Sequence, residues 1–205
     1  MRYPPGHKAK AREALIRAGS RTLKESGFHG VGVDGLAAAA GVTSGAFYSN
    51  FPTKEAMLEA VVDAGVGEPF LSDAESVPVA DARALLMDMI DDYISTAHCA
   101  DPGSGCVMPA LSADVSRAQP SVREAYDRKI TLLVHRIAEL LEGRRSDRER
   151  VAWSVVALMV GAVSVSRGMP DDSRSRRAAI DAGRHTAKAL IEAALTSSPG
   201  RSGGA

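Results

Sequence analysis

The sequence predicts an all-α protein of about nine helices, and three observations support that fold class. Aromatic residues make up only 4% of the chain, while Ala, Leu, Arg and Val are abundant, a balance that favours helices over sheets. Apolar residues recur at three- and four-residue spacing along most of the chain. The segment GVGVDG at residues 30–35 could be read as a short strand, but no partner strand pattern occurs elsewhere. With 205 residues, 45% of them hydrophobic and 24% charged, the chain has the composition of a globular protein of one or two domains.

Three short helices are predicted near the N-terminus. The first covers Lys8–Ser26 and ends at Gly27, since glycine accepts the left-handed conformation that closes a helix. The second covers about Val33–Ala40. The third is capped by Thr43 and ends before Pro52, because a residue that precedes proline resists the helical conformation.

The rest of the chain reads as longer helices with apolar stripes. These helices are predicted at 53–65, 81–99, 106–115, 121–141, 151–167 and 173–196. Residues 69–79 are expected to form a loop. The predicted domains are therefore a head at 8–52, a helical body at 53–196 and a disordered tail at 197–205.

Charge is unevenly distributed along this neutral chain. Residues 1–55 hold eight basic and four acidic side chains, so this segment carries a net charge of +4. A basic head on a neutral protein is typical of polyanion binding, although a charge of this size is modest on its own.

The second and third helices, joined by a glycine-bearing turn, have the sequence form of a helix-turn-helix, whose second helix enters the DNA major groove. Leu36, Phe47 and Phe51 are expected in the core. The exposed side of the third helix is polar and nearly uncharged, whereas an idle solvent-facing helix usually carries Glu and Lys. The hydroxyls of the first turn and of Tyr48, and the lysines, would contact phosphates, and Gly45 would allow close approach. Ser49 and Asn50 would read base edges, since asparagine pairs well with adenine. The residues predicted to contact DNA are Thr43, Ser44, Gly45, Tyr48, Ser49, Asn50, Lys54 and Lys10.

Residues 10–58 resemble the DNA-binding domain of the tetracycline-repressor (TetR) family. The resemblance is carried by ESGF at the end of the first helix, then LAAAAGV, then TSGAFYSNFPTKEAML. It implies a homodimeric, helix-turn-helix transcriptional regulator, usually a repressor that a small-molecule ligand releases from DNA. Three positions depart from the family pattern: Gly19 often is alanine, Gly32 often a capping hydroxyl, and Asn50 often histidine.

The last two long helices carry stripes of small residues, and in this family the corresponding helices form the subunit interface. We therefore expect a homodimer on a pseudo-palindromic double-stranded operator, although the stripes could instead face the chain's own core. A pocket for a small-molecule inducer is expected in the body, where polar or polarisable groups interrupt apolar faces. The candidate ligand-binding residues are Tyr93, His98, Cys106, Met108, Ser112, Trp153 and Met159. Each could equally be a core residue, and Cys106 could be a redox sensor or an inert buried thiol.

The sequence carries no motif of an enzyme, so we expect no catalytic activity. It has no phosphate-cradling glycine loop, no Cys/His metal spacing and no G-x-S-x-G elbow. We predict no cofactor and no metal. Because no signal peptide or membrane-spanning apolar run is visible, a cytoplasmic location without a membrane partner is expected. The alternative function is a helical small-molecule-binding or scaffold protein that does not bind DNA.

Overall fold

The computed structural model describes residues 5–74 and 81–196, and over these ranges the chain is helical without a β-strand. This confirms the predicted all-α class. The described helices are α1 (Pro5–Ser26), α2 (Val33–Ala39), α3 (Ser44–Asn50), α4 (Lys54–Gly65), α5 (Phe70–Ala74), α6 (Ala82–Tyr93), α7 (Thr96–Ala100), α8 (Val107–Arg117), α9 (Pro120–Glu139), α10 (Arg145–Arg167) and α11 (Arg174–Thr196).

The eleven helices of the described residues are close to the predicted number of about nine, and the difference arises in two segments. Short helix α5 lies in the expected loop, and the expected helix over 81–99 is broken into α6 and α7. At the break, Ile94 leaves the helical conformation with ψ at 65°. The Ser95 hydroxyl accepts the His98 N–H at 3.1 Å, which starts a new helix. The His98 ring nitrogen Nδ1 lies 2.6 Å from the carbonyl oxygen of Tyr93, which no longer has a full helical turn after it.

The chain divides into two compact units. The first contains Met1–Glu68 and Asp101–Ile130. Helices α1 to α4 share a core with α8, and the loop after α7 is tied to the end of α1: Lys24 Nζ donates to the Gly105 carbonyl at 2.7 Å. The Phe28 N–H donates to the Asp114 carboxylate of α8 at 3.2 Å. The largest fully buried side chains between residues 5 and 68 are Leu15, Leu23, Leu36, Phe47, Phe51, Met57 and Leu58.

The second unit contains Pro69–Ala100 and Thr131–Ala205, and helices α10 and α11 pack along one another in it. Gly183 allows this close approach, because a Cβ there would lie 2.6 Å from the Cβ of Ala162. Helix α6 packs against α11, and ion pairs join Arg83 to Glu192 and Lys188 to Asp91.

These units differ from the predicted head and body, because α4 and residues 101–130 group with the helix-turn-helix. The compact units do not show which residues bind DNA and which bind a ligand or form a dimer. The domain boundaries 8–52 and 53–196 therefore stay a prediction. The predicted tail at 197–205 lies outside the described residues.

Helix α10 is long and apolar enough to cross a membrane by length and composition alone. The core helix of a soluble protein passes the same test. In this helix, however, only 33% of the apolar window is buried within the protomer.

Candidate nucleic-acid interface

Helices α2 and α3 form a compact helix-turn-helix because the turn between them satisfies its own backbone. Gly41 adopts a φ of +68°, and the N–H of Val42 reaches back to the Ala37 carbonyl at 3.0 Å. Thr43 then caps α3 by accepting the Ala46 N–H at 3.2 Å. Phe47 is fully buried among the head helices. The opposite side of α3 is therefore turned outward.

That outward side carries the predicted DNA contacts on α3. Tyr48 is 56% exposed, an unusual state for a large aromatic side chain. Thr43, Gly45 and Ser49 are also exposed, while Ser44 is half-buried. Apart from its two chain neighbours and the nearby backbone of α3, the closest atom to a Cβ at Gly45 would be Thr43 Oγ1 at 3.8 Å. Packing within the protomer thus does not require a glycine here, whereas close approach by an outside molecule would favour one.

Asn50 is held differently from its neighbours on α3. It is half-buried, and its Nδ2 donates to the Ala46 carbonyl one turn earlier at 2.8 Å. Its Oδ1 is buried and has no hydrogen-bond partner among the described residues. Base reading by Asn50 therefore needs a rotation of this side chain, and it stays a prediction.

Lys54, at the start of α4, has partners inside the protein. Its Nζ donates to the Phe28 carbonyl and lies 4.2 Å from the centroid of the Phe28 ring. Burial lowers the pKa of Lys54, and the carboxylates of Glu55 and Asp114 act against that shift. In this conformation the lysine anchors the segment after α1. Its predicted phosphate contact is untested.

Two basic side chains of α1, Lys10 and Arg12, also bear on the candidate interface. Lys10 is exposed, as a phosphate contact requires. The guanidinium carbon of Arg12 lies 4.8 Å above the centroid of Phe51, beside the end of α3. Arg12 was absent from the predicted contacts, since sequence spacing alone could not bring it near α3.

The candidate ligand residues fall into both compact units. Four of them lie in the second unit, namely Tyr93, His98, Trp153 and Met159. The rings of Tyr93 and His98 meet edge to face at 4.6 Å, and Met159 is buried. Trp153 is 44% exposed on α10, which suits a subunit surface better than the wall of an enclosed cavity.

The other three lie in the first unit. Cys106 is buried and caps α8, with Sγ 3.4 Å from the Met108 nitrogen. The Ser112 hydroxyl donates to the Met108 carbonyl at 2.6 Å and lies 2.8 Å from the Tyr126 hydroxyl. Burial raises the pKa of Tyr126. Tyr126 was not among the predicted residues, because nothing in the spacing of α9 marks it as a partner of α8.

A cleft of about 260 Å³ lies in the first unit between α1 and α4. Arg17, Arg21 and Lys24 line it on one side, and Val61 and Gly65 on the other. None of the predicted ligand residues is among its lining. The assignment of all seven to a ligand pocket stays a prediction.

Comparison with known proteins finds a family model that matches part of the chain. Residues 15–61 match the family model described as bacterial regulatory proteins, tetR family. This match covers 47 of the 205 residues, so the family resemblance is to the N-terminal part of the chain. The match contains the whole of α2, α3 and the turn between them, which are the elements that present the polar face described above.

Individual known proteins are similar to the chain over different lengths. The chain is 29% identical over 115 residues to the HTH-type transcriptional repressor DhaR of Mycobacterium sp. strain GP1. That alignment covers 55% of this chain and 56% of the repressor, so it spans about half of either protein.

Solved structures share the fold over nearly the full chain. A TetR-family regulator from Cytophaga hutchinsonii matches with a TM-score of 0.74 and 19% identity, over 96% of this chain and all of that one. The reduced form of E. coli NemR matches with a TM-score of 0.68 and 19% identity, over 92% of this chain and 100% of that one.

Proposed function

We propose that this protein is a sequence-specific DNA-binding transcriptional regulator, and that it represses transcription until a small-molecule ligand releases it from its operator. The observation that carries the proposal is the outward face of α3, where Tyr48 and small polar side chains are exposed in the position of a recognition helix. The repressor function of the similar DhaR protein is consistent with it.

The regulator acts as a homodimer on a pseudo-palindromic operator. A recognition helix reads only a half-site, and two-fold symmetry supplies the second. The exposed apolar positions of α10, among them Trp153 and Val165, support a subunit contact on this helix. We attribute the apolar composition of α10 to this contact rather than to a membrane, which accords with a cytoplasmic regulator.

The ligand acts by binding one spacing of the two heads more tightly than the other, because only a difference in affinity shifts such an equilibrium. The residues proposed to meet it are the seven named above. We propose no catalytic step, cofactor or metal for this chain.

A DNA titration tests the proposal. The full-length protein is titrated against its own upstream intergenic DNA and against random duplex at about 50 and 200 mM salt. We expect tight binding to the upstream DNA, a steep fall with salt, and a loss of affinity in Tyr48→Ala. Tyr48→Phe removes only the hydroxyl. Comparing its affinity with that of Tyr48→Ala therefore distinguishes a hydrogen bond to a phosphate from a contact made by the ring. Leu132→Ala, a change at an exposed apolar residue on α9, serves as the control.

Weak binding with no preference for the upstream DNA would overturn the proposal. That result, together with tight binding of a small molecule, would support the alternative helical binding or scaffold protein instead.

A further inference from the structure

The hydroxyl group of Ser44, in the first turn of α3, is committed to one partner. Ser44 Oγ donates to Oδ1 of Asp34 at 2.6 Å, across the turn between α3 and the first turn of α2. A serine hydroxyl has a single hydrogen and two acceptor lone pairs, and a carboxylate only accepts. The hydrogen of Ser44 is therefore directed at Asp34, and only its lone pairs remain for another molecule.

Thr43, the neighbouring residue, has the opposite arrangement. Its Oγ1 accepts the N–H of Ala46 at 3.2 Å, so its hydrogen is left to donate. Phosphate oxygens are acceptors, so Thr43 suits a backbone contact and Ser44 does not.

Two other polar side chains of α3 also donate hydrogen bonds within the protein. Ser49 Oγ donates to the Gly45 carbonyl at 2.9 Å, and Asn50 Nδ2 donates to the Ala46 carbonyl at 2.8 Å. Both serines of the recognition helix thus have only lone pairs left for an outside molecule. In the major groove, the groups that meet a lone pair are the amino groups of adenine and cytosine, whereas guanine N7 and O6 and thymine O4 would repel it.

We propose that Asp34 is a positioning residue that makes Ser44 an obligate acceptor, and that Ser44 thereby reads the exocyclic amino group of an adenine or cytosine in the operator. This inference rests on the proposed function, since it names the base edge that the same α3 surface selects.

The negative charge of Asp34 predicts a second effect, on binding to random DNA. Asp34 is exposed on a head whose binding to phosphates depends on positive charge. Its removal should strengthen binding to random DNA while it relaxes the choice of base. A residue that only supports the fold would weaken both.

The experiment starts from an operator selected by the wild-type full-length protein out of randomised duplexes. Affinities are then measured for operators in which one adenine is replaced by purine, or one cytosine by 2-pyrimidinone, each of which lacks only the amino group. For the wild type we expect one position per half-site where this deletion weakens binding about three- to ten-fold, the effect of one hydrogen bond. At that position Ser44→Ala should show no such loss.

Two variants of Asp34 test its role. In Asp34→Asn the new amide can donate to Ser44 Oγ and free the serine hydrogen, so the preferred base should move toward guanine or thymine. In Asp34→Ala the hydroxyl can rotate, so discrimination should fall by about three- to ten-fold while binding to random DNA rises. Glu13→Gln removes a similar exposed charge from α1 and should raise random binding without changing the preferred base.

Three results would overturn the inference: an unchanged base preference in Asp34→Asn, a wild type indifferent to every amino deletion, or an effect of Asp34→Ala that persists in a Ser44→Ala background. The last would mean that Asp34 contacts the base itself. A wild type that selects no sequence at all would instead remove the proposed function. Thermal unfolding of each variant confirms that the head is folded.

Discussion

At the scale of single residues, the thiol of Cys99 is buried in the folded protein. It is 3% exposed on α7. Burial raises the pKa of Cys99, and the nearby Arg167 and Arg176 side chains and a hydrogen bond with Ser166 offset this only in part. The thiol is therefore both inaccessible and protonated in the native protein, which makes it a poor nucleophile.

We expect Cys99 to react with a thiol-specific disulfide reagent only after unfolding. Cys106→Ser leaves Cys99 as the one cysteine of the chain, so the rate of reaction at pH 8 in native buffer and in guanidinium isolates it. Rapid reaction in native buffer would contradict its burial.

The same pKa shift predicts how stability depends on pH. Above about pH 9, the ordinary pKa in the unfolded chain, the unfolded thiol loses its proton while the native thiol keeps it. The free energy of unfolding should thus fall more steeply with rising pH in the wild type than in Cys99→Ala.

At the scale of secondary-structure elements, Thr43 and Thr53 offer a matched pair. Each caps a helix by accepting an N–H three residues on, at 3.2 Å for α3 and 3.0 Å for α4, and both are exposed. Replacing either with alanine should cost about 1 kcal/mol of unfolding free energy. Only Thr43→Ala should also weaken DNA binding, since the cap uses Oγ1 as an acceptor and leaves the hydroxyl hydrogen to donate to a phosphate. Equal losses of DNA affinity would mean that Thr43 acts as a cap alone.

The caps also explain how much of the fold the sequence could predict. Thr43, Thr53 and Gly41 are local signals, and α2, α3 and α4 lie close to the predicted ranges. The break between α6 and α7 was missed, because serine at position 95 can lie within a helix or cap one. Whether Ser95 caps a new helix depends on the contact of the His98 ring with the Tyr93 carbonyl and on the burial of Ile94. Neither can be read from the local sequence.

The candidate site was predictable to a similar degree. The exposed face of α3 follows from helix periodicity once Phe47 is assigned to the core. The hydrogen-bond partners of the site's polar side chains do not follow from periodicity. Asp34 lies ten residues before Ser44, and Phe28 lies 26 residues before Lys54. The available signal for Asp34 was that it is the only Asp, Glu, Lys or Arg between Glu25 and Lys54.

At the scale of the whole molecule, α10 presents an exposed stripe that the protomer does not cover. Trp153, Ala157, Gly161 and Val165 recur every four residues along it, with exposed fractions of 44% at Trp153 and 54% at Val165. Apart from its two chain neighbours and the nearby backbone of α10 itself, no atom of the described chain lies within 4 Å of a Cβ built at Gly161. A second helix could therefore approach α10 closely at this point, as the proposed dimer requires.

Gly161→Arg should then block dimerisation without disturbing the protomer. The arginine has room in an isolated chain but not beneath a partner helix. We expect light scattering to report a dimer for the wild type and a monomer for Gly161→Arg, with operator affinity lost because a monomer meets only one half-site. The control is Gly161→Ala, whose small methyl group should leave the dimer intact and raise helix stability by up to about 1 kcal/mol.

Trp153 gives an independent readout, because it is the only tryptophan of the chain. If the stripe is the subunit interface, its fluorescence should shift to the red when the wild type is diluted into monomers, and should already be red-shifted in Gly161→Arg at high concentration. A Gly161→Arg protein that remains dimeric, with the emission of the wild type, would move the interface to another surface and leave the exposed face of α10 without a partner. Retained operator binding by such a dimer would add that DNA recognition does not depend on this helix.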